Sequence, residues 1–398
     1  MTTPLALSAL TASSALGAGV APLLSALKEG RSGLKVCNFE GAAINTWVGE
    51  VPAVDDEVIP SALHAYDCRN NRLALLGLRA DGFEEAVRDA MARYGSDRVA
   101  LILGTSTSGI LSAEHAYCER NADGALPEWF DYRATHNTAS VGAFVRDYLG
   151  LRGPVSVVST ACSSSAKAFA AADRLISAGL ADAAVVGGVD SLCLTTLYGF
   201  ASLELTSPEP CRPGDVARKG LSIGEAAAFV LLEPASGADG EITLAGWGES
   251  SDAHHMSAPH PEGRGSRAAM QAALLRAGLG ARDIDYINLH GTATPANDAS
   301  EGAAVAAIFE KGVQCSSTKG MTGHTLGAAG ALEAVICALS LRNGILPASV
   351  GTQTPDPRIP LELVMNPGIE RPLRHALSNS FGFGGSNCCL ILSQRGQS

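Results

Sequence analysis

The sequence predicts an α/β fold built from two related halves. Helical and strand-like patterns alternate along most of the chain, the order that α/β architectures produce. Several strand-like runs, 99–103 and 183–189 among them, are continuously apolar, as in a sheet covered on both faces. One pattern, an apolar strand leading through a turn into a helix of small residues, occurs once in each half of the chain.

Residues 1–27 hold no charged side chain. A secretory signal needs a basic stretch ahead of its apolar run, and the first basic residue is Lys28. Gly17, Gly19 and Pro22 break the run, so it reads as strand, turn and helix, with the helix over 24–29. Helical patterns follow at 71–78, 83–94 and 140–148, around the strand 99–103. A strand at 155–161 then runs into Cys162 and a helix of small residues from Ser163 to about Ala178, with Gly179 as its stop. Strands at 183–189 and 227–232 complete the first half. Pro234, Ser236 and Gly237 mark a connector, which divides the chain into 1–238 and 239–398.

The second half offers a strand at 242–248, a helix at 267–277, a strand at 286–289 and a helix at 303–309. A strand at 313–317 leads through a glycine-containing loop to His324. A second helix of small residues, Leu326 to about Arg342, ends near Gly344. Ala and Gly let backbones approach closely, so both small-residue helices are expected between layers. The apolar run 326–341 is shorter than 18 residues and carries Glu333, so it reads as a buried core helix and no membrane insertion is expected. The last strand is 388–392.

Composition narrows the function. Hydrophobic residues make up 46% and charged residues 17%, which excludes a disordered chain. Asp and Glu outnumber Lys and Arg by 40 to 29, and a net charge of −11 argues against nucleic acid as the main partner. The ten cysteines form no CxxC and no zinc-like spacing with histidine. Most sit in apolar stretches, as in reduced cytoplasmic enzymes.

Cys162 is the most informative of them. It stands between an apolar strand and a helix, in Ser159-Thr160-Ala161-Cys162-Ser163-Ser164-Ser165. A thiol at a helix N-terminus feels partial positive charge, which favours the thiolate, and adjacent backbone N–H groups can hold an oxyanion. An acyl-accepting nucleophile needs both features. His290 ends a strand and opens His290-Gly291-Thr292-Ala293-Thr294-Pro295, and His324 follows Lys319-Gly320-Met321-Thr322-Gly323. Such histidines stay neutral and donate an N–H, so together they offer two donors to one carbonyl. Glu333, among Ala, Leu and Val, needs a partner if buried, and Lys319 is the candidate. The pair would then fix His324. Asn379-Ser380-Phe381-Gly382-Phe383-Gly384-Gly385-Ser386-Asn387 lacks the Lys-Ser/Thr of a phosphate loop. A glycine-rich turn there suits a backbone donor and a mobile gate.

With these motifs in order across nearly the whole chain, the sequence resembles the decarboxylating β-ketoacyl-acyl carrier protein synthases of the thiolase superfamily. The resemblance implies a thiolase-like five-layer αβαβα fold with two pseudo-twofold-related halves. It implies a Cys162, His290, His324 triad, with Lys319 beside it and Glu333, Thr292 and Thr294 in support. By that likeness Cys162 takes an acyl group from a carrier-protein thioester, and the N–H groups of Cys162 and Phe383 hold the oxyanion. His290 and His324 then bind the malonyl thioester carbonyl while CO2 leaves, and the enolate attacks the acyl-Cys162. No cofactor is required. Gly382, Phe383 and Gly384 would form a gate, and Thr107 and Phe200 would line the acyl pocket. Arg69 and Arg72 fall where carrier-docking residues are expected, and the acidic, aromatic stretch Pro127–Asp131 departs from that patch. Asn288, Glu333 and Ser378 match positions of a monovalent cation site in some relatives.

Other positions also depart from the family pattern: Gly214 stands where Phe is usual, Lys219 where Asp is usual, and the stretch 224–228 lacks two common glycines. A thiolase would need a second cysteine in the C-terminal glycine turn, whereas Cys388 and Cys389 fall in the last strand. Type III synthases would use His and Asn, and the Gly323-His324 context fits His and His. The implied partners are acyl carrier protein in acyl and malonyl forms, and either a second copy or a chain-length partner. The pathway stays open between fatty acid and polyketide or polyene elongation. A non-catalytic chain-length partner is the rival reading, and it would lack Cys162.

Overall fold

The computed structural model describes residues 4–309 and 312–396. Among the described residues, eleven strands build one mixed sheet, ten of them forming two sets of five. The first five are β1 (Leu5–Ser14), β2 (Val99–Gly104), β3 (Val155–Val158), β4 (Ala183–Asp190) and β5 (Ala226–Pro234). The next five are β6 (Ile242–Ser251), β7 (Tyr286–Asn288), β8 (Gln314–Ser316), β9 (His375–Gly382) and β10 (Ser386–Gln394). A two-residue strand, Glu362–Leu363, lies at the edge beside β8.

The spatial order β3-β2-β4-β5-β1 continues as β6-β10-β9-β7-β8, so each set of five uses the same order of third, second, fourth, fifth and first. In the first set β2 is parallel to β3 and β4, β4 is antiparallel to β5, and β5 to β1. The second set repeats this sense: β7 is parallel to β8 and β9, β9 is antiparallel to β10, and β10 to β6. The two sets join where Leu5 and Ala6 face Leu244 and Thr243.

The helices are α1 (Val20–Glu29), α2 (Arg69–Arg79), α3 (Phe83–Tyr94), α4 (Ile110–Cys118), α5 (Ser140–Leu149), α6 (Ser164–Ser177), α7 (Leu194–Ser202), α8 (Arg264–Ala277), α9 (Pro295–Ala306), α10 (Lys319–Thr322) and α11 (Ala329–Asn343). The two small-residue helices, α6 and α11, share one apolar core between the sheet faces. α2, α3 and α5 cover the outer face of the first set, and α8 and α9 that of the second. This gives five layers.

Small residues make the middle layer. A Cβ on Gly330 of α11 would lie 2.7 Å from the backbone nitrogen of Ala166 on α6. A Cβ on Gly188 of β4 would lie 2.6 Å from the Cβ of Ser165. The Ser165 hydroxyl also accepts the Ala331 N–H at 2.9 Å, a polar stitch between the two helices. The continuous helical segment Leu326–Asn343 is long and apolar enough for a membrane, but 89% of it is buried inside the protein. Gly179 and Gly344 end their helices in the left-handed region, at φ 72° and 58°, where glycine carries no Cβ penalty.

Four elements differ from the sequence expectation. The helix expected at 303–309 starts earlier, with Pro295 in its first turn, where a fixed φ suits a helix start. α4 and α7 are additional. Residues 379–382, expected in the glycine-rich turn, belong to a strand over His375–Gly382, and the turn shrinks to Phe383–Gly385. β9 is buried along nearly its whole length yet carries Ser378, Asn379 and Ser380, so it lacks the apolar run that marks a covered strand.

Candidate active site

Cys162 leaves the end of β3 through a strained step. Ala161 has φ 54°, a left-handed conformation that L residues rarely adopt, and it turns the chain sharply into α6. Ser164 stabilises the turn: its hydroxyl accepts from Thr160 N at 2.9 Å and donates to Ala161 O at 2.6 Å. Cys162 is thereby held in the buried interior, with its own backbone N–H and that of Phe383 both directed at Sγ.

The second set of strands brings the histidines to the same point. His324 follows α10, and its backbone is clamped by the short strand Ile223–Gly224: His324 N donates to Ser222 O at 2.7 Å, and Gly224 N donates to His324 O at 3.0 Å. Its Nε2 lies 3.0 Å from Cys162 Sγ. His290 follows β7, with its ring centroid 5.2 Å from that of His324 and edge-on to it. The reactive atoms of Cys162, His290 and His324 all lie within 4.8 Å of one another. They open into one cavity of about 190 Å³, also lined by Phe200, Thr292, Thr294 and Phe383.

Electrostatics keep this centre neutral. Burial and the Lys319 charge hold both imidazoles well below the ordinary histidine value. The Nδ1 atoms of both rings are buried without a partner, so an Nε2–H tautomer turns a donor toward the cavity from each. Burial also pushes the Cys162 thiol up to about 11, against the pull of Lys319 and the two backbone N–H groups. This corrects the sequence expectation of a thiol shifted toward thiolate: desolvation outweighs the helix N-terminus. Lys319 is buried and ion-paired with Glu333, as the sequence suggested.

Two further carboxylates organise the site. Glu301 on α9 accepts His290 N at 2.8 Å and Gly291 N at 2.7 Å, and Asn379 Nδ2 at 3.0 Å. Burial raises it to about 7 in spite of these donors. Asp190, at the end of β4, accepts from Ser106 N at 2.7 Å, Thr107 N at 2.9 Å and the Thr105 hydroxyl at 2.7 Å. Its other oxygen accepts Gly327 N at 2.5 Å, tying the first half to the loop after His324. Neither residue was singled out from sequence. The one signal was for Asp190, an acid that ends an otherwise apolar and small-residue strand.

Phe383 and Phe200 meet across the cavity at 5.5 Å between ring centroids. Gly382 and Gly384 flank Phe383, and Gly384, with φ 79°, donates its N–H to Met256 O at 2.8 Å. Thr107 does not line this cavity. Its hydroxyl is buried against Asp190 at 2.9 Å. Arg69 is also corrected. It is 6% exposed, its guanidinium bonds both oxygens of Glu225 and both of Asp55, and it lies over the Phe39 ring, so it presents no docking charge. Arg72 is half-buried, with its charge matched by Asp67 at 2.6 Å.

Asn288 and Ser378 are register partners on β7 and β9. The oxygens Asn288 Oδ1, Ser378 Oγ and Glu333 Oε2 are buried without a hydrogen-bond partner. All three are oxygen donors, the ligand type that hard cations take.

Residues 73–238 match the β-ketoacyl synthase N-terminal domain and 242–353 match the C-terminal domain. Nodulation protein E of Rhizobium meliloti (strain 1021) is 34% identical over 393 residues, covering 95% of this chain and 96% of that protein. The 3-oxoacyl-[acyl-carrier-protein] synthase 2 of Staphylococcus aureus is 34% identical over 77% of this chain and 80% of its own. A chain from a ketosynthase in complex with its chain length factor, from Xenorhabdus doucetiae, superposes with a TM-score of 0.89 at 39% identity over 98% of each chain. A chain of the ishigamide ketosynthase/chain length factor superposes with the same score at 27% identity over the full length of both. Fold, motif order and these likenesses agree: the chain belongs to the β-ketoacyl synthase family and is an acyltransferase of the condensing type.

Proposed function

We propose that Cys162 accepts the growing acyl group and that His290 and His324 drive decarboxylation of the extender. One observation carries this reading: the three reactive atoms converge within 4.8 Å in a single buried cavity. Cys162 Sγ attacks the carbonyl of an acyl-carrier thioester. The oxyanion is held by the N–H groups of Cys162 and Phe383, and the carrier thiol departs with the proton that Sγ gives up. His324 Nε2, 3.0 Å from Sγ, gives its N–H to the sulfur as thiolate character develops. The malonyl thioester then enters, and its carbonyl oxygen takes the two imidazole N–H donors. As the carboxylate leaves as CO2, its bonding electrons form an enolate on that oxygen. The enolate carbon attacks the acyl-Cys162 carbonyl and expels Sγ. The product is a β-ketoacyl thioester two carbons longer, and Cys162 recovers a proton. Oxyanion and imidazole donors of this kind each act on the rate by on the order of 10²–10³.

In the same reading Lys319 and Glu333 fix His324 and lower both imidazoles, while Thr292 and Thr294 line the approach. Phe383, swinging on Gly382 and Gly384, gates the cavity against Phe200. A monovalent cation at Asn288, Glu333 and Ser378 would supply fixed charge beside that pair. The repeated strand order supports a division into 1–238 and 239–398. The partners are acyl carrier proteins, in the cytoplasm. The likeness to ketosynthases solved with chain length factors favours a heterodimer with a chain-length partner as the working unit, the homodimer being the alternative.

The test is direct. The protein is incubated with acyl-carrier thioesters of graded length, and the Cys162 peptide is read by mass spectrometry. Acyl mass on that peptide, released on addition of malonyl carrier with a new β-ketoacyl product, is expected. Acyl mass elsewhere, or none, refutes the reading.

A further inference from the structure

The fold gathers a ligand set that the linear sequence hides. Cys162 and His324 are 162 residues apart, and no zinc-like spacing exists along the chain, yet one sulfur and two imidazole nitrogens meet within 4.8 Å. We propose that this cluster binds a soft divalent cation, Zn2+ being the best match, and that such an ion shuts the enzyme off by occupying its nucleophile and both of its donors. The proposal rests on the reading of these three residues as the reacting groups.

The geometry is close to that of a zinc site. Zn–S near 2.3 Å and Zn–N near 2.0–2.1 Å in a tetrahedron place ligand atoms roughly 3.3–3.6 Å apart. The observed contacts bracket that range: 3.0 Å between His324 Nε2 and Cys162 Sγ, and at most 4.8 Å elsewhere in the set. Small rotations of two side chains close the difference. The ring edges face a cavity, which leaves the fourth position for water or a carbonyl oxygen, the open arrangement of three protein ligands. Both imidazoles are neutral and lose no net proton: each passes its Nε2 proton through solvent to its unpartnered Nδ1, which leaves the Nε2 lone pair for the ion. Only Cys162 loses one: its S–H bond breaks, an S–Zn bond forms, and the proton goes to solvent. Lys319, whose charge is felt by all three ligands, is ion-paired with Glu333, which offsets part of its repulsion of a cation. Entry runs along the same channel that admits a thioester, past Phe383.

The experiment uses the whole enzyme and two probes, ZnCl2 and CoCl2. Zinc should block acyl transfer to Cys162, and a chelator should restore it. Cobalt should give the thiolate-to-metal absorption and the intense visible bands of a tetrahedral site. Those bands should vanish in Cys162→Ala and in wild-type enzyme first capped at Cys162 with iodoacetamide, a control that needs no variant to fold. His290→Ala should weaken zinc inhibition by about 10–100-fold or more, the scale set even by outer-shell partners. Cobalt bands that survive capping of Cys162, or zinc inhibition equal in His290→Ala, overturn the proposal. Normal acyl loading with no cobalt spectrum overturns the metal site alone. Cobalt bound through Cys162 in a protein that never accepts an acyl group overturns the condensing reading and leaves the metal site standing.

Discussion

The two halves place different chemistry on the same scaffold. In each, the third strand leads into a turn that carries a reactive residue and then into an inner helix: β3 to Cys162 and α6, β8 to His324 and α11. In each, the loop after the second strand is clamped by a buried carboxylate, Asp190 after β2 and Glu301 after β7. The first half supplies a nucleophile at a strained helix entry. The second supplies two neutral donors. α11 is buried along nearly all of its length, whereas α6 keeps one side partly open. Duplication therefore delivers position, and the residue at each equivalent position decides the reaction step.

This comparison is most sharply broken at Cys162. Cys162→Ala should abolish acyl loading and lower condensation by on the order of 10⁴–10⁶, the scale of a lost covalent nucleophile. Cys162→Gln should lose condensation but keep malonyl decarboxylation, because the donors of the second half remain. Release of CO2 from labelled malonyl carrier measures it. Background release in Cys162→Gln, with the fold intact by circular dichroism, would show that the two halves do not act separately.

The reverse change comes next in size. His290→Ala and His324→Ala should each lower decarboxylation by on the order of 10²–10³. Acyl mass on Cys162 should still appear in both. A loading rate that falls in His324→Ala and holds in His290→Ala would assign stabilisation of the developing thiolate to His324 Nε2–H, the only one of the two rings in hydrogen-bond contact with Sγ. Equal decarboxylation in either variant and wild type would remove that ring from the mechanism.

A third measurement separates the forces acting on the nucleophile. Burial pushes the Cys162 thiol up to about 11. Below that pH the folded protein keeps the proton, so the thiolate fraction should rise about tenfold per pH unit up to that point. Alkylation of Cys162 by iodoacetamide should follow this slope, and at pH 7 its thiolate fraction should lie about 300-fold below that of an ordinary thiol of pKa about 8.5. A plateau already near pH 8 would mean that the helix N-terminus overrides desolvation.

The reactive trio was legible because each member sits at a strand end beside glycine or small residues, where a turn must follow. The supporting carboxylates were not. Glu301 lies on a helix whose sequence, with Asp298 and Ser300 around it, reads as a solvated face. Only the fold shows that this face meets the His290 loop. Arg69 misled for the same reason. In Arg69-Asn70-Asn71-Arg72 it reads as a surface cation, and its partner Glu225 is 156 residues away. β9 escaped notice because Ser378, Asn379 and Ser380 are polar yet buried, their place set by long-range pairing with β7 and β10. Local pattern carries turns, caps and nucleophile contexts. It does not carry a buried polar partner supplied from far along the chain.

The smallest expected effect tests the two clamps against each other. Glu301 accepts two consecutive main-chain N–H groups, those of His290 and Gly291. Glu301→Gln keeps size and one acceptor, but turns an NH2 toward one of those N–H groups, which loses its partner. A lost hydrogen bond to a charged group is worth about 1.5–3 kcal/mol. Part of it should appear as displacement of His290, lowering kcat for decarboxylation about tenfold with little change in KM. Acyl loading should not change, because Cys162 hangs from the other half. Asp190→Asn should show the opposite split, since Asp190 holds the Ser106–Thr107 turn and Gly327. Ser106 in turn donates its hydroxyl to Ala161 O, beside the nucleophile. It should slow loading more than decarboxylation. If both variants depress both steps alike, the clamps stabilise the molecule as a whole and do not position separate reactive groups.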